Sequence, residues 1–153
     1  MLRAIASVIV GYIVMATIVM ISLTALYLAL GTDRSFEPGS WTPSKLWIAL
    51  MLVVGIIAAL AGGWACKAIA RSAKPPRVLA GIVLVLGILM AVMAMRKTAS
   101  TEPRGPEVSN MDAMNKAVTP AWVNFANALI GFAGVMVGAG FGKERAGGAK
   151  TTP

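Results

Sequence analysis

The chain has 153 residues, of which 58% are hydrophobic and 13% charged, and it carries a formal net charge of +8. A soluble domain keeps about a quarter of its residues charged, so this composition excludes an ordinary water-solvated surface, and the length leaves no room for a separate soluble catalytic module. With no histidine and a single cysteine, Cys66, an intrachain disulfide, a His/Cys zinc or haem site and a Ser-His-Asp triad are all excluded, and no cofactor is expected.

The fold expected is all-α: an integral membrane four-helix bundle made of two helical hairpins, with a short surface helix before the fourth span. A spanning helix needs about 20 predominantly apolar residues. Four uncharged runs meet that need, at about 4–30, 46–66, 78–95 and 120–142. They do not alternate as the strands of a barrel would. The first run is too long for a signal-peptide core of about 7–15 residues and is read as a span.

Between spans one and two, residues 31–45 form a short loop rich in Gly, Pro and Ser. Thr42-Pro43 then reads as a helix start, because proline is tolerated in the first turn and a hydroxyl can cap it. Trp41 and Trp47 stand at the edge of span two, at the depth where tryptophan favours the headgroups. Span two carries Gly55, Ala59 and Gly63 four apart and ends at Cys66, read as a small packing residue.

The loop 67–77 carries Lys67, Arg71, Lys74 and Arg77 and no acid. Such clusters between apolar runs fit anionic lipid headgroups and exclude a nucleic-acid surface. Pro75-Pro76 opens span three, where Gly87, Ala91 and Ala94 are the small residues. The loop 96–119 begins without regular structure. Its second half offers a capping box at Ser109 and Asp112, and Val108, Met111, Met114 and Val118 recur at helical spacing. That pattern reads as a short helix on the membrane surface, the alternative being a recognition helix for a partner.

Thr119-Pro120 and Trp122 open span four. Asn124, Asn127, Gly131, Gly134 and Gly138 fall on one face of it, and Gly134, Gly138 and Gly142 form overlapping G-x-x-x-G motifs. Close backbone approach through small residues is what joins helices in lipid, so Gly131, Gly134, Gly138, Gly142, Gly55, Ala59 and Gly63 are the expected packing seam. The favoured reading is packing within one bundle; the sharper one is a homodimer seam or a pore lining. Asn124 and Asn127 are the strong polar groups within the spans, suited to an interhelical hydrogen bond or to a polar path. Residues 143–153 form a basic flexible tail.

No Asp, Glu, Lys or Arg lies inside any run, and ionisable groups are what intramembrane catalysis and ion coupling usually use. An enzyme is therefore not expected. Five of the six acids, Asp33, Glu37, Glu102, Glu107 and Asp112, sit in the first and third loops. Lys and Arg favour the cytoplasm, so both termini and the loop 67–77 are expected there; Arg96-Lys97 runs against this assignment. Spans two and four each open with Thr-Pro and a Trp and place small residues at equal offsets from it. Spans one and three show no such likeness, and chance is preferred to a repeat.

Two stretches carry a resemblance. Thr119-Pro120-Ala121-Trp122 followed by Ile130-Gly131-x-x-Gly134-Val135 is one. Ala25-Leu26-Tyr27 with Asp33-Arg34-x-Phe36-x-Pro38-Gly39-Ser40 and Leu46-Trp47 is the other. They resemble small uncharacterised bacterial multi-pass (four-helix) inner-membrane proteins, which implies a bacterial cytoplasmic membrane and brings no activity or site residue. The function expected is a non-enzymatic helix-packing subunit or accessory protein; the alternative is a small oligomeric solute channel or transporter lined by span four. The partners expected are the lipid bilayer and either a second copy of the chain or another membrane protein.

Overall fold

The computed structural model describes residues 2–96, 104–105 and 107–141. It is an all-α bundle of five helices: α1 (Leu2–Ser35), α2 (Lys45–Ala70), α3 (Lys74–Met95), α4 (Asn110–Lys116) and α5 (Ala121–Phe141). Four of them, all but α4, are long and apolar enough to cross a membrane. This is a small membrane protein. Its outward faces are largely apolar: Ile21, Val85 and Leu129 are 65, 66 and 63% exposed, as befits side chains whose solvent is lipid.

The helix ends follow local chemistry. The helical path of α1 breaks at Gly31 (φ 72, ψ 176), a backbone conformation open essentially to glycine alone. One further turn follows, and then Glu37-Pro38-Gly39-Ser40 reverses the chain. Ser40 N–H donates to the Glu37 carbonyl at 3.1 Å, and Gly39 has φ 66, the residue order and geometry of a type II turn. An antiparallel bridge joins Phe36 to Pro43. The cap of α2 is therefore Ser44, whose Oγ accepts from Trp47 N–H at 3.1 Å, and not Thr42, because Pro43 is held in the bridge. At the far end the helices run beyond the uncharged residues. Lys67 lies on α2, Lys74 and Arg77 on α3, and only Arg71 to Ala73 connect them. Arg71 makes this tight turn in the left-handed region (φ 53).

In packing order α2 and α5 lie side by side at the centre, with α1 against α2 and α3 against α5. The contacts are made by small residues. A methyl group placed on Gly11 of α1 would lie 2.9 Å from Cys66 Cβ and 3.0 Å from the Gly62 carbonyl oxygen of α2. Between α2 and α5 the approach is closer: a methyl on Gly63 would strike the Val135 carbonyl, and one on Gly138 the Leu60 carbonyl. Between α3 and α5, a methyl on Gly87 would stand 2.6 Å from Ala128 Cβ. Ala59, Cys66, Leu79, Ala80 and Val135 form the fully buried centre. The bundle has two ends, a basic one at Arg71 and a loop end formed by 31–44 and 104–120.

This geometry separates glycines that must be glycine from those that need not be. Gly63→Ala and Gly138→Ala press a Cβ into a carbonyl, and overpacking of this kind costs about 1–3 kcal/mol. Gly81 and Gly140 face open space, so alanine there is expected to be neutral or mildly stabilising. Thermal unfolding of the four variants in one detergent checks this. Equal melting temperatures would show that α2 and α5 do not meet at these residues.

Candidate functional site

The most elaborately built part of the molecule is its loop end, where residues 104–119 are tied to the α1–α2 connection. Tyr27, in the last full turn of α1 before the Gly31 break, is 5% exposed. Its hydroxyl donates to the Val108 carbonyl at 2.7 Å. Thr32 Oγ1 accepts from Val108 N–H at 3.3 Å, so one residue of the distant segment is held at both its backbone groups. Trp47 of α2 packs edge-on to Tyr27, with centroids 6.0 Å apart.

A second tie is made by Arg104, whose side chain is 4% exposed. Its Nε donates to the Ser40 carbonyl at 3.1 Å, an Nη lies 3.6 Å from Asp33 Oδ1, and the guanidinium stands 5.6 Å from the Phe36 ring centroid. A planar, weakly hydrated guanidinium suits such a stacked and hydrogen-bonded position better than an ammonium would. Lys116 completes the clamp, with Nζ 5.2 Å from the Trp41 ring, and Val118 N–H donates to the Trp41 carbonyl at 3.0 Å.

Helix α4 seals the cap. Ser109 Oγ accepts from Asp112 N–H at 3.1 Å and donates to Asp112 Oδ2 at 2.8 Å, a side-chain exchange that satisfies an orphan donor of the first turn. The helix turns Ala113 inward against Tyr27 and Phe36, with Val108 and Ala117 beside it. Met111 and Met114 point outward, 68 and 54% exposed. The expected apolar row of Val108, Met111, Met114 and Val118 is thus split. Two small alanines face the bundle because only they allow α4 so close to the rings of Tyr27 and Phe36.

Beneath α4 lies a groove of 240 Å³ between α1, α2 and α4, lined by Leu23, Thr24, Trp47, Met51, Asn110 and Met114 among others. Asn110 Nδ2 donates to Thr24 Oγ1 at 3.5 Å across it. The groove is mainly apolar, its polar side chains being the Asn110 amide, the hydroxyls of Thr24, Tyr27 and Thr119 and the Trp47 indole, which suits enclosing a hydrocarbon group and offers no carboxylate or imidazole for acid–base work. Among the described residues no three His, Cys, Asp or Glu side chains gather where they could hold a metal ion.

The other residues singled out in the sequence lie elsewhere. Gly134 and Gly138 of α5 face Ala59 and Leu60 of α2, Gly131 faces Val83 of α3, and Gly63 faces Val135. Gly142 lies outside the described residues. Asn127 approaches Gly55, where an added Cβ would lie 3.4 Å from its Oδ1. Asn124 Nδ2 is buried without a hydrogen-bond partner among the described residues. Cys66 is fully buried and its thiol bonds the Ser7 side chain. Lys67, Arg71, Lys74 and Arg77 surround the basic end. Of the tryptophans read as interfacial, Trp122 is 60% exposed, but Trp41 is buried in the cap and Trp47 packs on Tyr27. Comparison with protein-family models, with curated proteins and with solved structures finds no match.

The cap rests on Tyr27 more than on any other side chain. Tyr27→Phe leaves the Val108 carbonyl without its partner and is expected to cost about 1–3 kcal/mol locally. Amide hydrogen exchange should then accelerate across α4 while the centres of α2 and α5 keep their protection. Unchanged exchange in α4 would show that the hydroxyl does not hold the segment.

Proposed function

We propose that this chain is a non-enzymatic subunit or accessory protein of the bacterial cytoplasmic membrane, working by contact of its loop-end cap with another membrane protein. The observation that carries this reading is the cap itself. It ties the segment of α4 to the α1–α2 connection and turns Met111 and Met114 outward, beside a groove that has mainly apolar walls. Flexible methionine side chains suit an adaptable docking surface. The lack of any Asp, Glu, Lys, Arg or His within the apolar spans supports a role without catalysis or ion coupling. The small-residue faces of α2 and α5 are used against each other, which supports a bundle complete in one chain.

A photo-crosslinking residue at Met111 in native membranes tests the contact. One discrete protein adduct is expected there, and none from Ile21, which is 65% exposed on the lipid-facing side of α1. Adducts to lipid alone at both positions would remove the docking surface. A second reading, a small oligomeric solute channel or transporter lined by α5, is favoured by one observation: the buried Nδ2 of Asn124, without a hydrogen-bond partner among the described residues, is a donor that a solute could use. Liposomes holding the wild-type chain should pass no ion or small solute. Flux that disappears in Asn124→Leu or Asn127→Leu would establish the channel instead.

The orientation proposed places both termini and the basic end in the cytoplasm, following the distribution of Lys and Arg. Cys66 is buried, so the wild-type chain supplies a silent background for thiol labelling. An impermeant maleimide should reach Glu107→Cys in intact cells and Ser72→Cys only after the membrane is opened. The reverse pattern would invert the protein.

A further inference from the structure

The basic end contains a groove that its role in the fold does not use. It measures 360 Å³ and lies where the last turn of α2, the first turns of α3 and the end of α5 converge, with Lys67, Pro76, Arg77, Met136, Ala139 and Gly140 around it. Lys67 and Arg77 stand on different helices and face the same space. The charge around them is one-sided: the acids among the described residues, Asp33, Glu37, Glu107 and Asp112, all belong to the loop end. Hence no described carboxylate neutralises this pair. Nor does the backbone of α3 answer for an anion. Pro75 and Pro76 have no N–H, and Lys74 N–H is directed at Ser72 Oγ, 3.4 Å away.

The groove also has a second, apolar half. Met136 and Gly140 line it, and one to two turns back along the same face of α5 come Phe132 and Leu129, all of them exposed. The track from Met136 to Leu129 runs about 10 Å into the membrane-crossing part, at 1.5 Å per residue. A cationic pair at the helix ends thus opens directly onto an apolar strip along α5.

We propose that this groove is a binding site for one anionic glycerophospholipid, its phosphate between Lys67 and Arg77 and an acyl chain along Met136, Phe132 and Leu129. Basic pockets between membrane helices hold such headgroups through the same combination of charge and apolar contact. The site differs from a general attraction of the basic end to the bilayer, because Arg71 and Lys74 contribute to the latter and do not line the groove. It depends on the membrane location alone, and neither on the proposed partner contact nor on which side the basic end faces.

Native mass spectrometry of the full chain, in detergent with equal amounts of phosphatidylglycerol and phosphatidylcholine of matched chains, tests it. The wild type should retain one phosphatidylglycerol in clear preference. Lys67→Gln and Arg77→Gln should each lower retention about five-fold, following the contribution of one basic residue near an anionic headgroup. Arg71→Gln and Lys74→Gln should leave it nearly unchanged. The charge-keeping pair Lys67→Arg and Arg77→Lys should retain the lipid, which separates loss of charge from loss of fold. Met136→Ser should weaken retention with every cation in place. Equal losses at all four cations would overturn the site in favour of a diffuse field, and equal retention of phosphatidylcholine would overturn it outright. Displacement of the lipid by millimolar inorganic phosphate would show a simple phosphate site and refute the acyl-chain half.

Discussion

Hydrocarbon around a helix is as apolar as its own leucines, so nothing squeezes membrane helices together as water squeezes a soluble core. What remains is the distance at which backbones can meet, and this molecule depends on it. Helix α5 offers Gly131, Gly134 and Gly138 to its neighbours and keeps Leu129, Phe132 and Val137 for its outer face. Helix α2 answers with Ala59 and Gly63, which bring main-chain carbonyls of the two helices against the partner's glycines. Dispersion contacts are individually tiny and fall off steeply with separation. A single added methyl at the centre therefore disturbs the bundle more than the loss of a large side chain from its rim.

Outside the hydrocarbon the rules change, and so does the construction. The loop end is held by directional contacts: the Tyr27 hydroxyl on the Val108 carbonyl, the Arg104 guanidinium on the Ser40 carbonyl and beside Phe36, the Lys116 ammonium against Trp41. Each joins residues far apart in the chain. Together they fasten the segment before α5 to the connection between α1 and α2. The central pair α2–α5 is thus secured twice, by glycine packing within the membrane and by a polar clamp at its edge.

The four long helices were legible because uncharged runs of spanning length have few other interpretations. The capping box at Ser109 was equally plain, since it is a local pattern. The ends were less so: Lys67, Lys74 and Arg77 read as loop because they are charged, although helices continue freely into the headgroup region. The cap was not legible at all. Nothing local marks Tyr27, near the end of span one, or Arg104, in a Pro- and Gly-rich stretch, as a fastening. Their partners are 81 and 64 residues away, and no short-range periodicity encodes such a pairing. Trp41 misled for the same reason. A tryptophan at a span edge ordinarily marks the interface, and only Phe36 and Lys116, placed by the fold, draw it inside.

The position of α3 bears on how the chain is made. It meets α1 and α2 sparingly and lies mainly against α5, through Gly87 on Ala128 and Val83 on Gly131. During synthesis α1 and α2 can close as a hairpin as soon as both have left the translocon. Helix α3 follows with its matching surface still unwritten, and it waits in lipid, small residues exposed, until the ribosome has delivered α5. A premature stop between these two helices would therefore remove more than its length implies. It would leave one spanning segment with only its sparse contacts to α1 and α2, while the hairpin ahead of it stayed paired.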